Sequence, residues 1–175
     1  MSIINRYKAL DNQNRFIVKF IFWLIVLFGL FYWGRFWSYS PIGEYIDSGL
    51  RAIIMPILDA LLDNSIDKYD ILINSKYSVV ITPECNGIIP YLMILAAILA
   101  YPCPAKRKFI YAISSAIIFF VMNILRLYIV VEVVNRFGAN SFYLIHDIFG
   151  NLLLMATGAF IYLSYLKCNK RDNAI

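Results

Sequence analysis

One cysteine, one arginine and one histidine in this sequence have the side-chain chemistry of a nucleophilic catalytic site. Cys85 lies between a polar stretch and a long apolar run. A cysteine thiolate is a strong nucleophile, and a helix N-terminus stabilises it. Arg126 carries a guanidinium that can stabilise a developing oxyanion. His146, the only histidine of the chain, is of the side-chain type suited to proton transfer near neutral pH.

Five further residues flank these three and are candidates for a supporting role. They are Glu84, Asn86, Gly87, Asn123 and Asp147. Asn123 precedes Arg126 by three positions, so the two side chains would share one face of a helix. Asp147 follows His146 directly and lies beside it at the start of an apolar run.

Each principal residue also has a non-catalytic explanation. A lone cysteine such as Cys85 is most often a small buried apolar residue. Arg126 could extend to lipid headgroups from the end of a membrane span, although ionisable residues within spans are otherwise functional by default. A lone histidine is more often structural than catalytic. Acidic residues such as Glu84 and Asp147 can be solvated charges at the rim of the protein.

The cysteine and histidine counts argue against a disulfide framework and a metal site. The chain has three cysteines, no C-x-x-C pair and one histidine, and both kinds of site need more ligands or a different spacing. The sequence indicates no cofactor. The net charge of +5 does not indicate nucleic-acid binding, because the basic residues flank apolar runs instead of forming a basic face with interleaved aromatic residues.

The composition indicates a protein that crosses the membrane several times. The chain has 175 residues, of which 61% are hydrophobic and 15% charged, and its mean hydropathy is +0.68. A soluble domain of this size could not bury so much apolar surface. We expect an all-α membrane protein of one polytopic domain, residues 1–175. Its predicted spans, about four in number, cover approximately residues 16–37, 86–101, 109–134 and 142–166.

The segment between the first two predicted spans, residues 38–85, contains no run long enough to cross a bilayer. Within residues 50–63, apolar residues recur at helical spacing with charged residues on another side, which predicts an amphipathic helix kinked at Pro56. A re-entrant segment is the alternative for this stretch. Residues 71–74 and 77–82 favour strands, so we expect a small β-hairpin that leads to Cys85.

The distribution of charge predicts the orientation of the chain. Basic residues dominate the N-terminus, the loop at 106–108 and the C-terminus, whereas acidic residues dominate the segment 38–85. Short basic loops stay in the cytoplasm, so both termini are expected to be cytoplasmic and Cys85 extracytoplasmic, in the cytoplasmic (inner) membrane. Cys103 and Cys168 fall on the other side, so Cys85 is expected to stay reduced.

The rise of a helix places the three candidate residues at one depth. Cys85 and Arg126 each stand 17 residues from the cytoplasmic end of their predicted spans, which corresponds to about 26 Å at 1.5 Å per residue. His146 stands 20 residues from Leu166, at nearly the same height. All three should therefore lie near the outer edge of the apolar layer. Their lateral separation does not follow from the sequence.

Three short motifs follow one another on successive predicted spans. They read CNGI at 85–88, NILR at 123–126, and His146 with Gly150 four residues later. In this order they resemble the exosortase/archaeosortase family of membrane transpeptidases, over roughly residues 79–158. The chain is most similar to the compact exosortase H type, whereas larger members of the family have about twice as many spans.

The resemblance implies a catalytic Cys–Arg–His site made of Cys85, Arg126 and His146, which cleaves C-terminal sorting signals through an acyl-enzyme. The implied substrates are exported proteins that end in a short motif (PEP-CTERM-like, or of the IPTLxxWG type), an apolar span and a basic tail. The acyl acceptor is left open between a glycan amine, a lipid amine and water. Membrane lipids are the other expected partners.

Two other functions are consistent with the same residues. The chain could be a non-catalytic membrane subunit of a transport or assembly complex, in which Cys85 packs, Arg126 anchors a headgroup and His146 is structural. It could also be a membrane-bound hydrolase without acyl transfer. The reactivity of Cys85 separates the first of these from an enzyme.

Overall fold

The described part of the chain consists of helices and one small antiparallel sheet. The computed structural model describes residues 12–32, 40–62, 66–68, 70–74, 77–81 and 83–172. Its α-helices are α1 (Asn12–Phe31), α2 (Pro41–Leu61), α3 (Ile88–Ala100), α4 (Ala105–Phe137) and α5 (Asn151–Asp172). The strands are β1 (Ile66–Asp67), β2 (Asp70–Asn74) and β3 (Tyr77–Val80). Two 3-10 turns, Pro83–Asn86 and Ala139–Ser141, and a π-helical segment, Tyr143–Gly150, complete the elements.

Three described helical segments are long and apolar enough to cross a membrane. They are Gln13–Phe31, Ala105–Phe137 and Ala139–Leu166, and an 18-residue stretch within each has a mean hydropathy of 1.9, 2.3 and 1.6, respectively. The predicted class of an all-α membrane protein is therefore confirmed. The predicted first span reached residue 37, whereas α1 ends at Phe31 and residues 33–39 lie outside the described part.

The predicted second span is a shorter helix than expected. α3 has 13 residues, so it rises about 20 Å, less than the thickness of about 30 Å of a bilayer core. It is nevertheless the centre of the bundle, since α1, α4 and α5 all contact it. Close packing depends on Gly158 of α5, where an added Cβ would lie 3.0 Å from Ile94 of α3 and 3.3 Å from Phe119 of α4. This agrees with the role that small residues have between membrane helices.

The amphipathic helix of the connecting segment begins earlier than the predicted residue 50. α2 starts at Pro41, after Ser40, whose hydroxyl accepts a hydrogen bond from the Gly43 N–H at 3.0 Å and donates one to the Leu30 carbonyl of α1. Serine before proline is a favourable helix start. The prediction missed it because the polar residues of the first turns interrupt the apolar pattern, and one of them, Asp47, is buried.

The predicted hairpin forms two of the three strands of the sheet. β2 pairs with β3 in antiparallel register, with Ile71 opposite Val79. β1 adds a third strand on the other edge, with Ile66 opposite Ile71. β1 was not predicted because two residues carry no alternation that could be recognised.

The sheet, α2 and the last turns of α4 share one hydrophobic core outside the helical bundle. Its members are Ile54, Met55, Leu58, Leu62, Ile71, Val79, Ile81, Cys85, Leu127, Val130, Val131 and Val134. A second cluster, of Phe119, Leu154 and Ile161, lies between α4 and α5 within the bundle. Arg126 lies between the two groups, about 32 Å along α4 from its start at 1.5 Å per residue. The last turns of α4 therefore pack with α2 and the strands β1–β3 into one small unit, which we call the cap.

Candidate active site

A 3-10 turn, not the first turn of a helix, positions Cys85. The turn Pro83–Asn86 precedes α3, and the Asn86 side-chain carbonyl accepts a hydrogen bond from the Ile88 N–H at 2.9 Å. Gly87 joins the two elements with φ +75°, a conformation that side chains with a Cβ rarely adopt. A Cβ there would also lie 3.0 Å from Cγ of Asn123. Asn86 and Gly87 of the CNG motif are therefore suited to this turn.

Asn123 of α4 holds the backbone of the same turn. Its Nδ2 donates a hydrogen bond to the Cys85 carbonyl at 2.9 Å, and its side chain is fully buried. Arg126, three residues further along α4, lies on the same side of the helix, as the spacing predicts. One face of α4 therefore supplies both an anchor for the cysteine turn and the buried cation.

Cys85 and His146 lie within hydrogen-bond distance of each other. The distance from Cys85 Sγ to His146 Nε2 is 3.4 Å. Cys85 is 5% exposed and the His146 side chain 17% exposed, so the pair is largely shielded from bulk solvent. A nucleophile and a base at such a distance form the arrangement that covalent catalysis requires.

Arg126 approaches the same nitrogen of the histidine. Its Nη2 lies 3.2 Å from His146 Nε2 and donates to the His146 carbonyl at 3.4 Å. Arg126 is 4% exposed. Among the residues that the structure describes, no carboxylate forms an ion pair with it, and its Nε–H has no hydrogen-bond partner. A buried guanidinium without an anion is expensive to desolvate, so this side chain is suited to an anion that arrives with a ligand.

The partners of His146 assign the tautomer of the neutral ring. Nδ1 lies 2.8 Å from Oδ1 of Asp147, and an ionised carboxylate can only accept, so Nδ1 carries the hydrogen. Arg126 can only donate, so Nε2 presents its lone pair towards Arg126 and Cys85. The imidazole is thereby prepared to take the proton of the thiol.

The ring of His146 is also held by packing. The Phe142 ring stacks on it with a centroid distance of 4.8 Å and an interplanar angle of 10°. His146 lies within the π-helical segment and Phe142 directly precedes it, and π-helical geometry is frequent at functional sites. The prediction of a span from residue 142 did not include this wider helix, because a π segment has no clear sequence pattern.

Gly150 lets Arg126 occupy its position. An added Cβ on Gly150 would lie 2.5 Å from Nε of Arg126 and 3.2 Å from its Cδ, closer than real Cβ atoms come. The spacing of four residues between His146 and Gly150 thus has a physical reason. One residue contacts the guanidinium with its ring, and the other leaves the space for the arginine side chain.

The structure brings together most of the residues singled out in the sequence. Cys85, Arg126 and His146 meet, with Asn86, Gly87, Asn123 and Asp147 around them. Glu84 belongs to the same turn, but its side chain lies outside the described part, as does that of Cys168. Cys103 precedes α4 at the other end of the bundle, away from this site.

One residue at the site was not singled out in the sequence. Asp47 of α2 is 1% exposed, pairs with Arg51 and accepts a hydrogen bond from Nδ2 of Asn86 at 2.6 Å. The spacing of four between Asp47 and Arg51 suits an ion pair on a helix. That spacing alone does not show that the pair is buried, because surface helices carry the same pattern.

An apolar cavity of about 190 Å³ adjoins the cysteine turn. Asn86, Gly87 and Ile88 line it together with aromatic and aliphatic side chains of α1, α2 and α4, among them Phe31, Leu50 and Phe120. A larger cavity, of about 780 Å³, lies at the opposite end of the bundle between α1 and α5 and touches none of the candidate catalytic residues. We therefore assign no catalytic role to the larger space.

Comparisons with known proteins agree with the motifs. The family model described as "Transmembrane exosortase (Exosortase_EpsH)" matches residues 15–163. A protein of Methanocaldococcus jannaschii, described as a probable archaeosortase E, is 32% identical over 153 residues, which cover 87% of this chain and 77% of the relative. No solved structure matches the chain at a comparable level of significance.

Proposed function

Since the chain belongs to the transmembrane exosortase family, we propose that it is a membrane-embedded cysteine transpeptidase or protease that cleaves C-terminal sorting signals of exported proteins. The observation that carries the proposal is the distance of 3.4 Å between Cys85 Sγ and His146 Nε2, with Arg126 Nη2 at 3.2 Å from the same nitrogen. A nucleophile, a base and a fixed cation thus surround one point where a carbonyl group can be placed.

The first chemical step is formation of the nucleophile and its attack. His146 Nε2 takes the proton from the Cys85 thiol, and the thiolate sulfur forms a bond to the carbonyl carbon of the scissile peptide. The carbonyl π electrons move onto oxygen and produce a tetrahedral oxyanion. Asp147 at Nδ1 stabilises the imidazolium that results.

Arg126 stabilises the oxyanion. Its charge is permanent and its donors are planar, and Nη2 lies beside His146 Nε2, so a guanidinium N–H is close to the place where the oxyanion forms. Fixed donors in a shielded site are worth more than the same groups in water.

Collapse of the intermediate releases the C-terminal segment. The C–N bond breaks, the leaving nitrogen takes the proton from His146 Nε2, and Cys85 retains the acyl group as a thioester. An acceptor amine on a glycan or a lipid then attacks the thioester and gives its proton to Nε2, and Cys85 leaves as thiolate. Water in place of the amine makes the enzyme a protease.

The proposed substrates are exported proteins with a short C-terminal motif, PEP-CTERM-like or of the IPTLxxWG type, followed by an apolar span and a basic tail. The lipid-facing surfaces of the spans give such a segment a place to lie, since exposed apolar residues cover α1 and α4. The cavity of about 190 Å³ beside the cysteine turn can take apolar side chains near the scissile bond.

The covalent intermediate gives the decisive test of this function. The purified chain, in lipid nanodiscs with a reporter protein that carries either motif, is expected to gain the mass of the reporter's acyl fragment on Cys85. Hydroxylamine should remove the adduct, because it cleaves thioesters. Release of the reporter's C-terminal segment without such an adduct would exclude the acyl-enzyme, and neither release nor adduct with any reporter would favour a non-catalytic subunit.

We also propose the orientation and location that the charges predict: the cytoplasmic membrane, with the loop at residues 106–108 inside and the cap outside. Two exposed lysines give a matched pair for the test, Lys68 between β1 and β2 and Lys106 at the start of α4. In a chain without its native cysteines, Lys68→Cys should react with a membrane-impermeant maleimide on intact cells. Lys106→Cys should react only after permeabilisation, and the reverse pattern would refute the orientation.

A further inference from the structure

A buried carboxylate of α2 reaches the residue next to the proposed nucleophile. Asp47 is 1% exposed, and its two oxygens have different partners. Oδ2 lies 2.5 Å from Nη2 of Arg51 on the same helix, and Oδ1 accepts a hydrogen bond from Nδ2 of Asn86 at 2.6 Å. A buried charge is tolerated only when it is paired and hydrogen-bonded, and here Asn86 supplies one of the required bonds.

The carboxylate determines how the Asn86 amide is oriented. Because Asp47 can only accept, the NH₂ group of Asn86 must point towards α2. The side-chain oxygen of Asn86 then faces the Ile88 N–H, with which it forms the 2.9 Å bond at the start of α3. One negative charge on α2 thus fixes the turn through a chain of two hydrogen bonds.

The cysteine turn is held from two sides as a result. On one side Asn123 of α4 donates to the Cys85 carbonyl at 2.9 Å. On the other side Asp47 of α2 holds the side chain of Asn86. These bonds leave the backbone of the turn little freedom to rotate, and that backbone determines where the Cys85 sulfur lies relative to His146.

We propose that Asp47 is a positioning residue of the active site, which acts through Asn86 to hold the Cys85 sulfur at attack distance from His146. The inference rests on the proposed function and adds to it that α2 belongs to the catalytic machinery. A purely structural alternative is that the Asp47–Arg51 pair only stabilises the fold of the cap.

Exchange of the two side chains tests the proposal. Asn86→Asp places two carboxylates at the 2.6 Å contact, so it should displace the turn and slow the reaction of Cys85. A displacement of reacting groups by about 1 Å can cost about 100-fold in reaction rate. Asp47→Asn removes the acceptor charge and should have a smaller effect of the same sign. The double variant Asp47→Asn with Asn86→Asp restores one donor and one acceptor across the contact, and position 86 still accepts from the Ile88 N–H. The double variant should recover most of the lost rate of Cys85 alkylation.

The readout is the rate at which iodoacetamide alkylates Cys85 in folded protein, in a background of Cys103→Ala and Cys168→Ala. A structural role would change the protein yield or Tm but leave the alkylation rate of the folded fraction unaltered. Asp59→Asn, at an exposed position of the same helix, is the matched control and should alkylate like the parent.

Two outcomes would overturn the proposal: equal alkylation rates in all the variants, or a double variant no better than Asn86→Asp. Comparison of the alkylation rates with reporter processing separates this inference from the proposed function. If Cys85→Ala still processed a reporter, the function would be refuted while the alkylation rates would still report on positioning. If processing depended on Cys85 but alkylation did not depend on Asp47, only the positioning role would be lost.

Discussion

Replacing Cys85 with alanine is expected to abolish processing of a sorted reporter, while the protein still inserts into the membrane. Alanine removes the only nucleophile beside His146 in the described site and leaves the hydrogen bond from Asn123 to the backbone carbonyl of residue 85 intact. Cys85→Ser should also be inactive, since a serine hydroxyl gives up its proton far less readily than a thiol. The measurement is release of the reporter's C-terminal segment, with the amount of membrane-inserted protein determined in parallel.

Two other cysteines serve as controls for this experiment. Cys103→Ala and Cys168→Ala should process the reporter at close to the parent rate. Cys103 lies just before α4 at the far end of the bundle from the site. Undiminished processing by Cys85→Ala would refute the covalent mechanism.

Replacing Arg126 with lysine is expected to slow acyl-enzyme formation by about 100- to 1000-fold, the typical cost of losing one oxyanion donor. Lysine keeps the charge and can reach headgroups as well as arginine can. It lacks the planar set of donors, one of which, Nη2, lies against His146 in the arginine. The rate of thioester formation in nanodiscs, at equal amounts of inserted protein, measures the effect.

Arg136→Lys is the matched control on the same helix. The Arg136 side chain is 74% exposed and pairs with Glu132 at 3.1 Å, so the exchange should be nearly silent. If Arg126→Lys formed thioester at the parent rate, the donor geometry would not matter and Arg126 would be a headgroup anchor.

Gly150→Ala changes a second residue that packs against Arg126. The added Cβ would meet Nε of Arg126 at 2.5 Å, so the guanidinium must move although its chemistry is unchanged. We expect slower thioester formation here as well. Gly158→Ala would affect helix packing against Ile94 instead, so it should alter stability more than the rate at which the folded protein reacts.

The contact between the three candidate residues follows only in part from the sequence. Counting residues from the basic ends of the spans predicts that Cys85, Arg126 and His146 lie in one layer, and in the structure Cys85 and Arg126 each contact His146. The count for Cys85 assumed a continuous helix, whereas α3 begins only at Ile88, and the depth in a membrane stays a prediction. Their lateral meeting depends on how three helices pack around each other. That packing is decided by contacts such as Gly150 with Arg126, which connect residues far apart in the sequence.

Asp47 could not be assigned to the site for a related reason. Its sequence context, an acidic residue four positions before Arg51, is also that of an exposed ion pair. Only the position of α2 against the cysteine turn makes the carboxylate a partner of Asn86. The earlier start of α2, in contrast, was available from Ser40 and Pro41, which together are a recognisable helix start.

The boundary between bundle and cap gives the proposed site a property that a site in a soluble enzyme lacks. Arg126 lies about 32 Å along α4, at 1.5 Å per residue, close to the thickness of a bilayer core of about 30 Å. With the proposed orientation, the Cys85 sulfur has a fixed height relative to the lipid. In a proposed substrate with a helical span, the same lipid would hold that span, and each residue inserted into it would move the motif about 1.5 Å along the membrane normal. The bilayer itself would then act as the ruler that selects which peptide bond is cut.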